Sequence, residues 1–283
     1  MPGLTAYRMK QRLRYVAEQS SVGYRILLRW RALKQRLEAG RGLLSGLDNI
    51  VGHPAKPHAP WHNAVLQTYA ESDLAAARAM TLCLPSHRGR AKNWDSLAAL
   101  DCILANTRPD GNILDAGAEL YSVILPWLFL YGYRKLHGIN LAFQERTQRG
   151  PIVYEHGDIT RTLYESGSFD AVTCLSVIEH GVDLTAYFRE MSRILKPRGI
   201  LLTSTDYWET PVDTRGQVVY GAPAHIFSEV EIRDALRIAE RFGFETTGPV
   251  PFGCKEKVVH WVGLDYTFIL FSLRKVSNEL RRD

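Results

Sequence analysis

Cysteine is scarce in this chain and never paired: Cys83, Cys102, Cys174 and Cys254 stand far apart, with no C-x-x-C spacing. That pattern supports neither a zinc site nor a disulfide framework, and it suits a reducing cytoplasm. Long hydrophobic runs are lacking as well. The longest, Tyr121 to Tyr133, covers 13 residues and contains Pro126 and Gly132. It is too short for a bilayer and fits a buried helix better. The N-terminus is polar and then basic, without an apolar core followed by a small-residue cleavage site, so no secretory signal is expected. There are no internal repeats and no low-complexity tract. What remains is an ordinary globular balance, 46% hydrophobic and 23% charged over 283 residues. This suits one large domain with an appendage, or two small ones.

The net charge of +5 conceals an asymmetry. Residues 1–45 carry ten Lys or Arg against Glu18 and Glu38, a net +8, while the remainder holds 25 basic and 28 acidic residues, a net −3. Within the basic arm Val22, Ile26, Trp30, Leu33 and Leu37 recur at helical spacing, flanked by Arg25, Arg29 and Arg36. This is a basic amphipathic helix. Three fates are open to it: packing on the domain, lying on an anionic membrane surface, or contacting nucleic acid. No basic–aromatic interleaving elsewhere favours the last, so nucleic acid is not the expected partner. The expected setting is cytoplasmic, with a peripheral position on the inner membrane face as its sharper form.

Four segments are expected along the chain: a basic helical arm and linker over 1–60, a helical cap or substrate-side extension over 61–110, an α/β domain over 111–275 and a polar tail over 276–283. Gly40 to Pro60 is rich in Gly, Pro and His and reads as the linker. Helical patterns cover 64–84 and 94–106, the second with Asn93 or Asp95 as its cap. From residue 112 strands (112–116, 135–140, 151–155, 169–175, 199–204) alternate with helices (120–131, 160–165, 184–195). A further helix spans 228–242, with strands at 244–247 and 264–273. Alternation with short turns predicts a mostly parallel sheet covered on both faces.

Four short motifs lie in that region: Asn112-Ile-Leu-Asp-Ala-Gly, His156-Gly-Asp-Ile, Phe169-Asp-Ala-Val-Thr-Cys-Leu-Ser-Val-Ile-Glu-His, and Ile194-Leu-Lys-Pro-Arg-Gly. The first is a buried strand entering a glycine turn, where backbone N–H groups can meet a ligand. Each motif alone is a common strand, cap or turn. Together, in this order and spacing, they resemble class I S-adenosylmethionine (SAM)-dependent methyltransferases over roughly residues 95–275. Ser176-Val-Ile-Glu-His and His225-Ile-Phe-Ser-Glu-Val-Glu-Ile resemble the small-molecule and sugar-modifying branch.

The resemblance implies a Rossmann-like sheet of seven strands, the last antiparallel, with SAM above Gly117. Asp115 and Gly117 would hold the methionine part, Asn140 would meet the ribose, Asp158 and Ile159 the adenine, and Leu175 and Ser176 would line the methyl-donor pocket. The chain departs from the family twice. Its loop, Gly117-Ala-Glu-Leu-Tyr-Ser, has no further glycine. Asn140 also replaces the usual acidic residue, a place Glu119 can fill instead.

Methyl transfer to an alcohol needs alignment and a base for the departing proton. His180, Asp206 and His225 are the candidates, with Glu179, Tyr207 and Trp208 on the substrate side; Tyr220 and Trp61 can also stack on a sugar. No Asn-Pro-Pro-Tyr motif of amide methylation follows the fourth strand, and no metal ligand set is expected. The expected activity is O-methylation of a hydroxyl on a sugar or glycan, lipid-linked in the sharper form. The alternatives are a SAM-fold binding subunit without catalysis and an RNA-modifying methyltransferase.

Overall fold

The computed structural model describes residues 11, 14–40, 52 and 54–276. The first residues of the expected arm, most of its linker and the tail from 277 lie outside the described residues.

Strands buried on both faces form the centre. β2 (Asn112–Ala116), β3 (Lys135–Asn140), β5 (Ile152–His156), β6 (Phe169–Leu175) and β7 (Leu195–Tyr207) run parallel in the order β5-β3-β2-β6-β7. Their near-continuous apolar character is what a parallel sheet covered on both sides demands. β12 (Leu264–Lys275) joins β7 antiparallel, from Thr267 opposite Tyr207 to Arg274 opposite Ile200. β10 (Phe244–Thr246) pairs with the other side of β12. These seven strands form the expected sheet, antiparallel strand included. Three short strands extend it: β1 (Ala64–Val65) and β11 (Val259–Trp261) on β12, and β4 (Thr147–Arg149) on β5. A separate ribbon of β8 (Val218–Val219) and β9 (Ala222–Pro223) lies in the long connection after β7.

Six described helices complete the fold. α2 (Tyr69–Thr81), α3 (Lys92–Asn106) and α4 (Ile124–Leu130) contribute to one apolar core, with Trp94, Leu97, Trp127 and Phe129 buried. α5 (Leu184–Ile194) and α6 (Glu229–Arg241) contribute to a second, with Phe188, Met191, Ile232 and Phe244 buried. Local chemistry sets the helix starts. Asp183 Oδ1 accepts from Thr185 N and Ala186 N at 2.9 and 3.1 Å, and Ser228 with Glu231 forms a reciprocal capping box. Each such cap is worth about 1 kcal/mol.

Several boundaries differ from expectation, each for a visible reason. Residues 61–110 are less a separate cap than a cover of the sheet: β1 pairs with β12 and α3 packs on β6 and β7. α3 begins at Lys92, so Asn93 and Asp95 are not its cap but lie inside its first turn. α4 starts late because Glu119 to Ser122 folds into its own turn, with Ser122 N donating to Glu119 O at 2.9 Å. No helix forms at 160–165. There Thr162 N and Oγ1 both donate to Glu190 Oε1, at 2.7 and 2.6 Å, a side-chain bond that competes with helix.

α1 (Ser21–Glu38) packs on α2 and α4 through Tyr24, Leu28 and Ala32, with Tyr24 stacked on Phe129 at 5.8 Å. Its arginines turn inward to backbone carbonyls: Arg25 to Phe129 O, Arg29 to Gly52 O and Arg36 to Met80 O.

Candidate active site

A crevice of about 1120 Å³ opens at the carboxyl ends of β2, β3, β6 and β7. That exceeds the usual 300–1,000 Å³ of a single-ligand pocket and leaves room for two ligands end to end. In sheets of this kind, ligands bind at that edge.

One end is built from the loop after β2. Gly117 has φ +91°, and a Cβ there would lie 2.3 Å from Val177 Cγ2, so only glycine fits. The N–H groups of Gly117 and Ala118 donate to Ile139 O at 2.8 and 2.9 Å, laying the loop on β3. The missing second glycine has a structural counterpart. The close approach is absorbed at Gly138 of β3, where a Cβ would stand 2.8 Å from Ala118 Cβ.

Asn140 does not project free from the end of β3. Its Nδ2 donates to Ala118 O at 3.0 Å and Glu119 Oε1 at 3.3 Å, while Oδ1 accepts from Ala142 N at 2.9 Å. The amide is spent on the loop and holds a carboxylate at the crevice wall. Burial raises the pKa of Glu119 above the ordinary glutamate value. Asp115 is buried, accepts from Thr173 Oγ1 at 2.8 Å, and is pushed up to about 7 by that burial. Asp158 Oδ1 accepts from Thr160 N and Oγ1, and Ile159 is buried beside it. Leu175 and Ser176 line the same end, Ser176 at φ +55°.

The other end is acidic beneath and aromatic above. Glu179 and Asp206 are 2% and 7% exposed and are hydrogen-bonded to each other. Burial raises both, and their mutual repulsion raises Glu179 further. Thr205 Oγ1 donates to Glu179 at 3.0 Å and Tyr266 donates to Asp206. Asp95, which is fully buried, accepts from Ser204 Oγ at 2.8 Å. Lys92 supplies the nearby positive charge, its Nζ 4.2 Å from the Phe268 ring centre. His180 lies edge-on to Tyr220 at 5.2 Å, and burial and then Lys92 lower its pKa below the ordinary histidine value. Tyr220 in turn approaches Trp261 at 6.1 Å.

Not every expected residue is here. His225 pairs its Nε2 with Glu231 Oε1 at 3.1 Å and does not line the crevice. Tyr207 is buried, its hydroxyl donating to Phe252 O at 2.7 Å. Trp208 faces Lys257, and Trp61 bonds to Trp94 O. Asp115, Gly117, Glu119, Asn140, Asp158, Ile159, Leu175, Ser176, Glu179, His180 and Asp206 do line it. Sequence reasoning had no role for Lys92, Tyr266 or Trp261, and read Asp95 only as a cap. Nothing local in the sequence marks them, since they meet only once α3 crosses the sheet and β12 is inserted.

The residues fit SAM in kind. Ser176 and His180 both line the crevice, and Ser176 Oγ and His180 Nδ1 are buried without a partner among the described residues. Two further carboxylates, Asp115 and Glu119, suit an ammonium group and ribose hydroxyls. No three His, Cys, Asp or Glu among the described residues converge on a metal position.

A profile of the Methyltransferase domain family matches residues 120–203. Ubiquinone biosynthesis O-methyltransferases from Xanthomonas oryzae pv. oryzae and Xanthomonas axonopodis pv. citri are 54% and 51% identical over 41 residues. That stretch is 14% of this chain and spans only 17% of the length of each relative. The solved geranyl diphosphate C-methyltransferase of Streptomyces coelicolor A3(2), in complex with S-adenosyl-L-homocysteine, is 17% identical, with TM-score 0.48, covering 68% of this chain and 86% of its own. An S-adenosylmethionine-dependent methyltransferase from Mesorhizobium loti is 18% identical, with TM-score 0.45, covering 65% and 98%. The matched domain over residues 120–203, together with the strand order and the glycine turn, supports the class I SAM-dependent methyltransferase superfamily that the sequence resembles.

Proposed function

We propose that this protein O-methylates a hydroxyl of a sugar or glycan, lipid-linked in its natural form, using SAM. Asp115, Glu119, Asp158, Ile159 and Ser176 would hold the cofactor, which when bound supplies a methyl group already activated on a sulfonium. The observation that carries the reading is the buried Glu179–Asp206 pair at the far end of the same crevice. Two carboxyls so close cannot both ionise easily, so near neutral pH the pair shares one proton. Its free carboxylate accepts the proton of the acceptor hydroxyl as oxygen attacks carbon. Tyr266 and Thr205 steady the pair by donating to it, and Lys92 offsets its charge. His180, which lines the crevice, offers its imidazole to orient the acceptor, a positioning task. Tyr220 and Trp261 present aromatic faces of the kind that stack on sugar rings. The curated relatives are named O-methyltransferases, which supports oxygen as the atom methylated. The Asn140–Glu119 arrangement speaks for a working cofactor site rather than a catalytically silent subunit.

The test is methyl transfer from radiolabelled SAM to a panel of glycan acceptors. Asp206→Asn is expected to lower kcat about 10²–10⁴-fold, the usual worth of a positioned base. S-adenosylhomocysteine should still raise Tm in that variant, since a ligand selective for the folded state stabilises it. The rate of the unaltered enzyme should fall as acid protonates the pair. Unchanged turnover in Asp206→Asn, or transfer only to nitrogen acceptors, would overturn the assignment.

A further inference from the structure

α1 is built the reverse way round from an ordinary surface helix. Its arginines point inward, to carbonyls of α2, α4 and residue 52, and its apolar stripe points out. Val22, Ile26, Trp30 and Leu37 are 73%, 63%, 63% and 48% exposed, and Leu33 is half-buried among them. The bonds to carbonyls engage the arginines' terminal nitrogens but leave their charge. Only Glu18 and Glu38 offset the ten cations of residues 1–45, so the arm keeps its net +8 against −3 for the rest. Lys34 stands exposed beside the stripe and pairs with Glu38 at 3.6 Å, while Arg31 turns to Ser86 O. An apolar ridge centred on a tryptophan, on an arm of net +8, is the form of a helix that lies in a lipid headgroup layer.

We propose that α1 docks on an anionic bilayer surface, with Val22, Ile26, Trp30 and Leu37 entering the headgroup boundary. The same helix is tied to the crevice. Gln35 makes two hydrogen bonds with the backbone of Ser86, at 2.9 and 3.0 Å, and the adjoining residues His87, Gly89 and Arg90 line the crevice wall. Docking therefore sets that wall beside the membrane. This deepens the enzymatic reading by placing its acceptor at a lipid surface. The docking itself is tested without turnover, so the two stand or fall separately.

The full-length protein is mixed with phosphatidylcholine vesicles, with or without phosphatidylglycerol, and sedimented at low and high salt. Binding is expected with the anionic vesicles, weaker in salt, and slight with the neutral ones. The double variant Ile26→Ser/Trp30→Ser changes only exposed side chains and should bind about tenfold or more weakly. Val230→Ser, an equally exposed apolar residue on α6, should bind as the unaltered chain does. Folding is followed through the Tm shift given by S-adenosylhomocysteine, which all the variants should share. Equal vesicle binding by the double variant overturns the proposal, as does no vesicle binding by the full chain. A dimer in lipid-free solution that the double variant abolishes, without vesicle binding, would make the stripe a contact between copies and overturn it too. Absence of any S-adenosylhomocysteine shift would sink the cofactor reading while leaving the vesicle result interpretable.

Discussion

Asn140 shows how one side chain can carry a role its type does not announce. In the family an acidic residue ends this strand. Here the amide bonds to Ala118 O and Glu119 and so brings a carboxylate from the neighbouring loop. An aspartate at 140 would lose both donated bonds and set a second negative charge beside Glu119. Asn140→Asp is therefore expected to weaken S-adenosylhomocysteine binding about tenfold, about 1.4 kcal/mol by calorimetry. Tighter binding would mean that residue 140 itself meets the ribose. Residues next to a glycine turn or at a strand end were legible in the sequence, because their chemistry is local. Asp115, Gly117, Asp158 and Asp206 are of that kind. Lys92 and Tyr266 were not, because the groups they meet, Asp206 for both, lie far away along the chain. His225 misled for the opposite reason: its sequence neighbour Glu231, six positions on, captures it.

Among the elements, β3 and the loop after β2 act as one unit. Ala118 rests over Gly138, and neither residue alone explains how a loop with a single glycine lies flat. Gly138→Ala would place a methyl 2.8 Å from Ala118 Cβ and from Tyr154 Cδ1. Overpacking of this order costs about 1–3 kcal/mol. Lower Tm and weaker S-adenosylhomocysteine binding are expected together. Ala118→Gly added to it should restore much of the binding, the mark of coupled neighbours. Recovery of neither quantity would show that Tyr154, not the loop, takes the strain. The strands β2, β3, β5 and β6 were legible to within a residue, since burial on both faces leaves a plain apolar signal, whereas β7 runs beyond the expected 199–204 at both ends. Short pieces such as β1, β8 and β9 were not, because two residues carry no periodicity. The helix expected at 160–165 failed because Glu190, from α5, bonds Thr162.

Taken whole, the molecule is one sheet between two apolar cores, and the alternation of patterns along 112–275 foretold that arrangement. The run from Tyr266 to Phe271, apolar on both faces, likewise suits an interior strand. β7 ends at Tyr207 and its antiparallel partner β12 starts at Leu264, yet β12 lies inside the sheet, between β7 on one side and β1 and β10 on the other. It also delivers Tyr266 to Asp206 and Phe268 to Lys92. A chain emerging from the ribosome thus holds β2, β3, β5, β6 and β7 ready while one side of β7 is an open edge inviting other strands. The acidic end of the crevice stays incomplete through the same interval. Synthesis order makes β12 a closing bolt: until it slides home the protein is both prone to aggregate and chemically unfinished. A chain stopped at residue 263 should accordingly collect in the insoluble fraction. If it stays soluble and still binds S-adenosylhomocysteine, the sheet closes without its bolt.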